Sequence, residues 1–297
     1  HPYWTLFPPA LPFLCSNRKA DIIHTAPDYG LFFKRRKTPL ILTFHGFVLD
    51  KETRPYGPTL QKLHYSTDLL YFTRKSLEVA DKVTCVSKFI AEMVKRELNY
   101  TKPIQVIYNG IDTNMFKPGG IKKNGQVNVL FCGHPTSRKG AHLLPKIAEN
   151  LNPGITIQYT RGFRNKAYRF HSPSLVDLGS VKYSDMPAVY MQADILVFPT
   201  LREGFGLVAA EAMACGLPVV ASNCSSLPEL IEESKGGYLC ELNNAGEFAA
   251  RINQLADSAQ MRKEMGQYNR NRIEEKFTLQ KMTESYRKLF EEILLSR

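Results

Sequence analysis

The chain has 297 residues, of which 43% are hydrophobic and 23% charged, a balance that is ordinary for a folded protein and excludes disordered, collagen-like and small disulfide-rich classes. The net charge is +11, and +7 of it falls within residues 1–120, which carry 17 Lys and Arg against 10 Asp and Glu. A basic surface favours nucleic acid, an anionic membrane or a phosphorylated small molecule. No nucleic-acid-binding motif occurs in the sequence, so we expect no nucleic-acid partner.

Three features of the sequence bear on where the protein works. No apolar run reaches the 18 residues that a membrane span requires. The chain begins at His1 without a basic-then-apolar leader, so we expect no signal peptide. Six cysteines are scattered with no C-x-x-C pair, which indicates buried thiols in a reducing compartment. The sequence therefore predicts a cytoplasmic protein.

In the first 120 residues, short apolar runs alternate with helical periodicity, which is typical of a parallel sheet with crossover helices. Strands are predicted at residues 21–24, 39–44, 82–86 and 104–108. Helices are predicted at residues 60–79 and 88–98, the second with Ser87 as its N-cap.

A polar, glycine-rich stretch at residues 116–125 predicts a linker. A second alternating series follows it. Strands are predicted at residues 127–132, 156–159, 176–178, 194–199 and 218–221, and helices at residues 141–151, 186–191, 207–214 and from Ala245 onward. Two doubly wound domains joined by a linker would place a ligand cleft between them, outside the carboxyl ends of the strands.

The densest run of positive charge is Lys34-Arg35-Arg36-Lys37. One interpretation is a solvated loop between two strands. The other is a peripheral contact with an anionic membrane, to which clustered basic residues are attracted. The sequence leaves both open.

The most specific motif lies in residues 199–211. A buried strand ends there, the following loop carries Glu203, and Gly204 and Gly206 allow close approach to the backbone before the next helix begins. The unpaired amides at a helix start, with their partial positive charge, form a site for a phosphate. Glu211 follows Glu203 by eight residues, so the motif presents two carboxylates to one ligand.

The stretch from Glu203 to Ser222 resembles the retaining glycosyltransferases of family 4, the group 1 transferases of GT-B fold. Their mark is a Glu, seven residues and a second Glu within E-G-F-G…E-A-M-A-x-G-x-P-V-V, and the match here is nearly complete. Three further segments resemble the family in order and spacing: an interdomain segment at 106–118, a donor-phosphate loop at 133–140 and a base-binding segment at 179–190.

The resemblance implies an α/β protein of GT-B fold, with two Rossmann-like doubly wound domains facing across a cleft. Residues 1–118 would form the acceptor-side domain and residues 119–275 the donor-binding domain. A C-terminal helix at 276–297 would pack back toward the first domain. The implied enzyme transfers a sugar from a nucleotide-sugar, UDP- or GDP-linked, to a hydroxyl of a glycan, lipid or small molecule, with retention at the anomeric carbon. No metal or other cofactor is implied.

The resemblance also implies roles for single residues. Arg138 and Lys139 would hold the donor diphosphate and stabilise the departing nucleotide, which gains negative charge. Glu203 would bind a hydroxyl of the donor sugar, Glu211 the ribose diol, and His45 would lie near the reacting sugar. A lone histidine at a strand end is also common as a structural residue. The remaining donor-binding residues are Gly133, Val181, Gly204, Phe205, Gly206 and Leu207.

Two features depart from the family pattern. His134 stands where the family usually has Arg, and nothing before residue 21 supplies the family's opening strand and glycine-rich loop. We therefore expect an amino-terminally shortened first domain. This keeps open a nucleotide-sugar binding protein with little or no turnover, besides two less favoured classes, a two-carboxylate glycoside hydrolase and a nucleotide-sugar epimerase. The sequence also leaves open a front-face mechanism or a covalent intermediate with Glu203 as nucleophile.

Overall fold

A computed structural model describes residues 20–50, 64–119, 126–162, 170 and 172–296. The chain divides into two compact units. The first comprises His1–Tyr108 and Met282–Arg297, and the second comprises Asn109–Lys281. The linker predicted at residues 116–125 falls within the second unit, and residues 120–125 lie outside the described residues.

The first unit is built on a four-stranded parallel sheet with the strand order β1-β2-β3-β4. Its strands are β1 (Ile23–Thr25), β2 (Leu40–Phe44), β3 (Lys82–Cys85) and β4 (Gln105–Val106). All five residues of β2 are buried, as expected for an interior parallel strand. The predicted strands are confirmed, with ends that differ by a few residues.

Two helices connect these strands, α1 (Asp68–Val79) and α2 (Lys88–Leu98). The predicted N-cap of α2 is confirmed, since the Ser87 hydroxyl accepts a hydrogen bond from the Ile90 amide at 3.2 Å. The predicted start of α1 at residue 60 lies outside the described residues. The last helix of the chain, α9 (Leu279–Leu295), buries Leu289 and Ile293 in the core of the first unit.

The second unit is built on a six-stranded parallel sheet with the order β10-β9-β8-β5-β6-β7. Its strands are β5 (Val127–Phe131), β6 (Ile155–Arg161), β7 (Leu175–Ser180), β8 (Ile195–Phe198), β9 (Val219–Ser222) and β10 (Gly237–Cys240). β5 pairs with both β6 and β8, so the strand order reverses beside β5. Such a reversal is the ligand-binding point of doubly wound sheets.

Six α-helices of the second unit are described: α3 (Leu144–Glu149), α4 (Met186–Gln192), α5 (Leu207–Ala214), α6 (Leu227–Leu230), α7 (Ala245–Ala256) and α8 (Ala259–Lys276). The helix predicted at 141–151 is shorter than expected. A 3-10 turn occupies Ala141–Leu143, and α3 carries Pro145 in its first turn. Proline lacks an amide proton, so it fits the first turn of a helix, where the amides have no partner within the helix.

No described helix is both long and apolar enough to cross a bilayer. The five cysteines that the structure describes are all free and buried, as the sequence predicted, and Cys15 lies outside the described residues. Burial raises the pKa of the Cys132 thiol to about 11 and those of Cys85, Cys215 and Cys240 to about 12. These thiols therefore stay protonated and act as small apolar side chains.

Candidate functional site

The candidate site lies at the carboxyl ends of the neighbouring strands β5 and β8. The loop after β5 contains residues 133–140, and the loop after β8 contains residues 199–206 and leads into α5. A reversal of strand order places a ligand-binding crevice outside the carboxyl ends of the strands, and here the two loops border it within the second unit. The phosphate loop and the two-glutamate motif, 60 residues apart in the sequence, are thus neighbours in the fold.

Glycine allows these two loops to touch. Gly140 has a φ of +75°, and a Cβ atom there would lie 1.9 Å from the carbonyl oxygen of Pro199 at the end of β8. Gly133 has a φ of +118°, and its amide donates to Thr160 Oγ1 at 2.9 Å. A side chain at either position would require strained backbone. The loops are therefore fixed by backbone contacts.

Lys139 and Glu203 form an ion pair across the crevice. The Lys139 Nζ to Glu203 Oε1 distance is 2.5 Å, and the side chains are 20% and 11% exposed. The Thr200 hydroxyl donates to the same oxygen at 2.8 Å, and Lys139 Nζ lies 5.2 Å from the centre of the Phe198 ring. Because both side chains are largely buried, the attraction between their charges is stronger than in an ion pair on the protein surface. The structure therefore fixes an ammonium group in the crevice.

Arg138 has a different environment from Lys139. Its side chain is exposed, and Nη1 donates to the carbonyl oxygen of Arg202 at 3.2 Å. The two basic residues were predicted to hold one diphosphate together. The structure brings Lys139 to Glu203 and leaves Arg138 at the rim of the crevice.

The start of α5 follows the loop after β8 directly. Gly206, with a φ of +97°, is the N-cap residue, and the first-turn amides have no carbonyl partner within their own helix. The Phe205 ring is buried and packs 5.7 Å from Phe277, whereas Leu207 is exposed. The buried ring fixes the loop backbone where the helix begins, and the phosphate contacts of Gly204, Phe205, Gly206 and Leu207 stay a prediction.

Glu211 lies inside α5 and is only 7% exposed. The Tyr190 hydroxyl donates to its Oε2 at 2.9 Å. Burial raises the pKa of Glu211, and the hydrogen bond from Tyr190 opposes that shift. The Phe116 ring packs edge-on against Tyr183 and Tyr190, at 5.7 and 5.8 Å. Tyr190 is the last residue of the base-binding segment predicted at 179–190, and its contact with Glu211 was not predicted.

Val181 directly follows β7 and is partly buried. The turn before it is shaped by Gly179, with a φ of +76°, whose amide donates to Asp177 Oδ1 at 2.7 Å. A 3-10 turn at Tyr183–Asp185 comes next. The segment predicted at residues 179–190 contacts Glu211 through its last residue, Tyr190.

His134, which stands where the family usually has Arg, packs against the backbone of Gly162. A Cβ atom on Gly162 would lie 2.7 Å from His134 Nδ1, so the imidazole packs on bare backbone. Nδ1 is buried and has no hydrogen-bond partner within the described part of the chain. His134 fills space beside the phosphate loop and makes no contact with Lys139 or Glu203.

His45 belongs to the first unit. It follows β2 directly and is exposed at the carboxyl end of that strand. A second histidine, His24 on β1, contacts Thr43 Oγ1 through Nε2 at 2.6 Å and stacks 5.2 Å from the Tyr286 ring. Burial, and secondarily His45, lower the pKa of His24. The contacts of His24 with Thr43 and Tyr286 were not predicted from the sequence.

In the described residues, no three His, Cys, Asp or Glu side chains converge as metal ligands would. The positive groups of the crevice are the Lys139 ammonium, the Arg138 guanidinium and the first-turn amides of α5. Two Rossmann-like units, one with cationic and glycine residues at its switch point, are the architecture expected of the GT-B class of glycosyltransferases.

Comparisons with known proteins agree with this class. Residues 1–115 match the family model described as Glycosyltransferase Family 4, and residues 174–272 match that described as Glycosyl transferases group 1. Both models describe glycosyltransferases, so the chain is a glycosyltransferase that resembles the group 1 transferases of family 4. The fold and the family resemblance predicted from the sequence are confirmed.

Individual relatives are distant. An uncharacterized glycosyltransferase of Methanocaldococcus jannaschii is 27% identical over 283 residues, which cover 92% of this chain and 76% of that protein. Sucrose-phosphate synthase from Thermosynechococcus elongatus superposes with a TM-score of 0.82 at 20% identity, covering 98% of this chain and 78% of that one. Anabaena HepE in complex with UDP-glucose gives 0.78 at 19% identity, covering 100% and 84%. These structures share the fold.

Proposed function

We propose that this glycosyltransferase takes a UDP- or GDP-sugar and transfers the sugar, with retention at the anomeric carbon, to a hydroxyl of a glycan, lipid or small molecule. The observation that carries this proposal is the half-buried Lys139–Glu203 pair beside the start of α5. An ammonium, a guanidinium and free helix amides next to one another suit a diphosphate. HepE, which shares the fold, was solved with UDP-glucose.

In this proposal each group has a separate task. Lys139, Arg138 and the amides at the start of α5 neutralise the diphosphate, so no divalent metal is required. Glu211 accepts hydrogen bonds from the ribose hydroxyls, and Glu203 accepts one from the donor sugar. The charge that develops on the departing diphosphate is stabilised by Lys139, already held in place before reaction.

We infer a front-face route from the surroundings of Glu203. Its Oε1 accepts from Lys139 and Thr200, and a carboxylate so engaged is a poor nucleophile. In this route the bond between the anomeric carbon and the diphosphate oxygen breaks while the acceptor oxygen bonds to the same face. The acceptor proton passes to the leaving diphosphate. His45 supports the transfer step without contributing to nucleotide affinity.

The experiment follows UDP-glucose, UDP-N-acetylglucosamine and GDP-mannose by phosphorus and proton NMR with simple sugar and alcohol acceptors. We expect release of nucleoside diphosphate, a product with the anomeric configuration of the donor, and undiminished turnover in EDTA. Inversion, or loss of turnover in EDTA, would contradict retention or metal independence. Mass spectrometry after a 2-fluoro donor sugar should show no glycosyl group on Glu203. Binding of donor without product would favour the binding-protein alternative.

We also propose a peripheral contact between the basic run Lys34–Lys37 and an anionic membrane. The run precedes β2, so it lies at the opposite end of the strand from His45. It borders a cavity of about 310 Å³ that is lined by Lys34, Arg36, Lys37, Thr38, Pro39, Asp81, Lys82, Ile293 and Ser296. Leu294 and Leu295, 41% and 87% exposed, follow Ile293 in α9. Basic groups beside exposed leucines suit an anionic interface.

The membrane proposal is tested by sedimentation with neutral and anionic vesicles. Each basic residue near such a surface contributes about 1 kcal/mol, so Arg36→Glu with Lys37→Glu should abolish binding at low salt. Lys146→Glu with Lys276→Glu, two exposed lysines of the second unit, is the charge-matched control. Equal binding to both vesicle types, or equal loss in the control, would indicate a plain solvated loop.

A further inference from the structure

We propose that Ser225 and Ser226 are positioning residues, which hold the backbone of Glu203 and so set where its carboxylate meets the donor sugar. This inference rests on the proposed function, in which Glu203 accepts a hydrogen bond from that sugar. Both serines lie on the loop after β9, and they contact the loop after β8 that carries Glu203. They would act through Glu203, without touching the donor themselves.

The two serines hydrogen-bond to both backbone groups of Glu203. The Glu203 amide donates to Ser225 Oγ at 3.1 Å, and Ser226 Oγ donates to the Glu203 carbonyl oxygen at 3.3 Å. One residue earlier, the Cys224 thiol donates to the Thr200 carbonyl oxygen at 3.4 Å. Irregular loops have no strand ladder to satisfy their backbone groups, so side chains do this instead. Three consecutive side chains of the β9 loop thus fix the β8 loop.

Ser225 has a backbone conformation that is unfavourable for serine. Its φ of +53° lies in the left-handed region, which glycine enters without strain. A glycine here would remove the strain, but it would also remove the hydroxyl that accepts from the Glu203 amide. Strained residues persist where surrounding contacts hold them, and they are concentrated at functional sites. The strain therefore indicates a task for this hydroxyl.

Ser226 is the buried N-cap residue of α6, yet within this fully described helix its hydroxyl makes no capping hydrogen bond. A serine there usually accepts from the second or third amide of the helix. The second residue is Pro228, which has no amide proton, and the Glu229 amide donates to the Ser226 carbonyl oxygen at 3.1 Å. The hydroxyl donates to Glu203 instead.

The side chain of Glu203 has separate partners from its backbone. Its Oε1 accepts from the Thr200 hydroxyl and from Lys139, which belongs to the loop after β5. A displacement of about 1 Å near a reacting centre can lower turnover about 100-fold. Loss of a serine hydroxyl would loosen the Glu203 backbone, whereas Lys139 stays on its own loop. The serines should therefore affect sugar transfer more than nucleotide binding.

The experiment compares turnover and nucleotide affinity of the full chain in Ser225→Gly and Ser226→Ala. Turnover is measured as nucleoside diphosphate released from UDP-glucose, UDP-N-acetylglucosamine and GDP-mannose, and affinity by titration of UDP and GDP. Each variant should lower turnover about 10-fold, because one hydrogen bond that positions Glu203 is lost. The affinity for UDP and GDP should stay unchanged.

Ser234→Gly is the matched control. Ser234 has a similar φ of +63°, but it is exposed, and its hydroxyl donates to Glu233 Oε1 at 3.5 Å. The control should alter neither turnover nor affinity. Ser225→Ala removes the same hydroxyl as Ser225→Gly but retains the strained backbone. It should be less stable than Ser225→Gly and lose the same turnover, which separates positioning of Glu203 from stability of the fold.

Hydrogen exchange of the Glu203 amide, followed by NMR without a ligand, tests the contact itself. Exchange should be faster in Ser225→Gly than in wild type and unchanged in Ser234→Gly. Unchanged exchange in Ser225→Gly, or wild-type turnover in both Ser225→Gly and Ser226→Ala, would overturn the inference. An equal loss of turnover in Ser234→Gly, or nucleotide affinity that falls as much as turnover, would overturn it too. Faster exchange in Ser225→Gly, with no binding of UDP or GDP by wild type, would instead count against the proposed function.

Discussion

Glu211, which we propose binds the ribose, is a buried acid that opposes stability when it is ionised. Its side chain lies within α5, and its Oε2 accepts a hydrogen bond from the Tyr190 hydroxyl. Ionising a buried carboxyl group costs free energy that the unfolded chain does not incur. The hydrogen bond from Tyr190 offsets part of this cost, yet the pKa of Glu211 remains raised.

The raised pKa sets the sign of a stability prediction. The contribution of Glu211 is most favourable below its ordinary pKa of 4.5 and is lost as the pH rises through the raised value in the folded state. Glu211→Gln carries no such ionisation. We therefore expect the free energy of unfolding of this variant, relative to wild type, to be greater at pH 8 than at pH 4.

Urea denaturation of both proteins at the two pH values measures this difference. Glu232→Gln is the control with the opposite sign, because hydrogen bonds from Lys235 and Tyr268 lower the pKa of Glu232 to about 2. The free energy of unfolding of Glu232→Gln, relative to wild type, should therefore be lower at pH 8 than at pH 4. The unfolding free energy of Glu211→Gln minus that of wild type could instead stay constant or shrink as the pH rises. That result would show that ionisation of Glu211 does not destabilise the folded protein.

At the scale of elements, α8 connects the candidate site to the segment after β4. Arg270 on this helix donates to three carbonyl oxygens, those of Thr113, Phe116 and Ala214, at 2.7 to 3.1 Å. It thereby holds the end of α5 beside the chain that carries the Phe116 ring. Guanidinium groups suit this task because several donors lie in one plane.

Arg270→Ala should therefore destabilise the protein by about 2 to 5 kcal/mol, since several charge-assisted hydrogen bonds to buried carbonyls are lost. Arg287→Ala is the matched control. Both arginines pair with a glutamate four residues later, at 2.7 Å, but Arg287 is exposed on α9. The control should cost less than about 1 kcal/mol. Similar decreases of melting temperature in the two variants would show that the Arg270 hydrogen bonds to these three carbonyl oxygens add little stability.

The contact between the β5 and β8 loops gives a second element-scale prediction. Gly140→Ala would bring a Cβ atom to 1.9 Å from the Pro199 carbonyl, whereas Gly154, with a similarly positive φ of +88°, has nothing within 4 Å. Gly154→Ala should cost only the backbone strain, about 1 to 2 kcal/mol. Gly140→Ala should cost about 1 to 3 kcal/mol more and should weaken nucleotide binding, because Lys139 would be displaced.

Denaturation and nucleotide titration of the two alanine variants distinguish the steric clash with Pro199, which only Gly140→Ala introduces, from the backbone strain that both variants share. Equal stability and equal affinity would show that the loops can move apart freely. Retained affinity in a destabilised Gly140→Ala variant would show that Lys139 does not depend on this contact.

The elements were largely predictable from the sequence, and the reason is local. β8 is a continuous apolar run and β2 is apolar except for Thr43, and α5 begins after Gly206, so adjacent residues carry these signals. Contacts between distant segments were not predictable in the same way. The Lys139–Glu203 pair, the Tyr190 hydrogen bond to Glu211 and the Arg270 hydrogen bonds depend on which elements become neighbours, and periodicity carries no such information.

At the scale of the whole molecule, the two units divide the chemistry. The described groups suited to a nucleotide lie in the second unit, whereas His45 and His24 belong to the first. We expect His45→Ala to lower donor turnover about 100-fold, as for a group that contacts the reacting sugar in the transition state, with unchanged affinity for nucleoside diphosphate. His142→Ala, an exposed histidine of the second unit, should alter neither quantity. A loss of nucleotide affinity in His45→Ala would contradict this division.

The central claim is that Lys139 and its surroundings bind a nucleoside diphosphate without metal. Its most direct test is isothermal titration of UDP and GDP into the full chain in EDTA, with Lys139→Ala and, as control, Lys146→Ala, an exposed lysine on α3. We expect saturable binding of at least one nucleotide. Lys139→Ala should weaken it by about 1.5 to 3 kcal/mol, the range for a charge-assisted hydrogen bond, and Lys146→Ala should leave it unchanged. Absence of binding in EDTA, or equal affinity of Lys139→Ala and wild type, would contradict it.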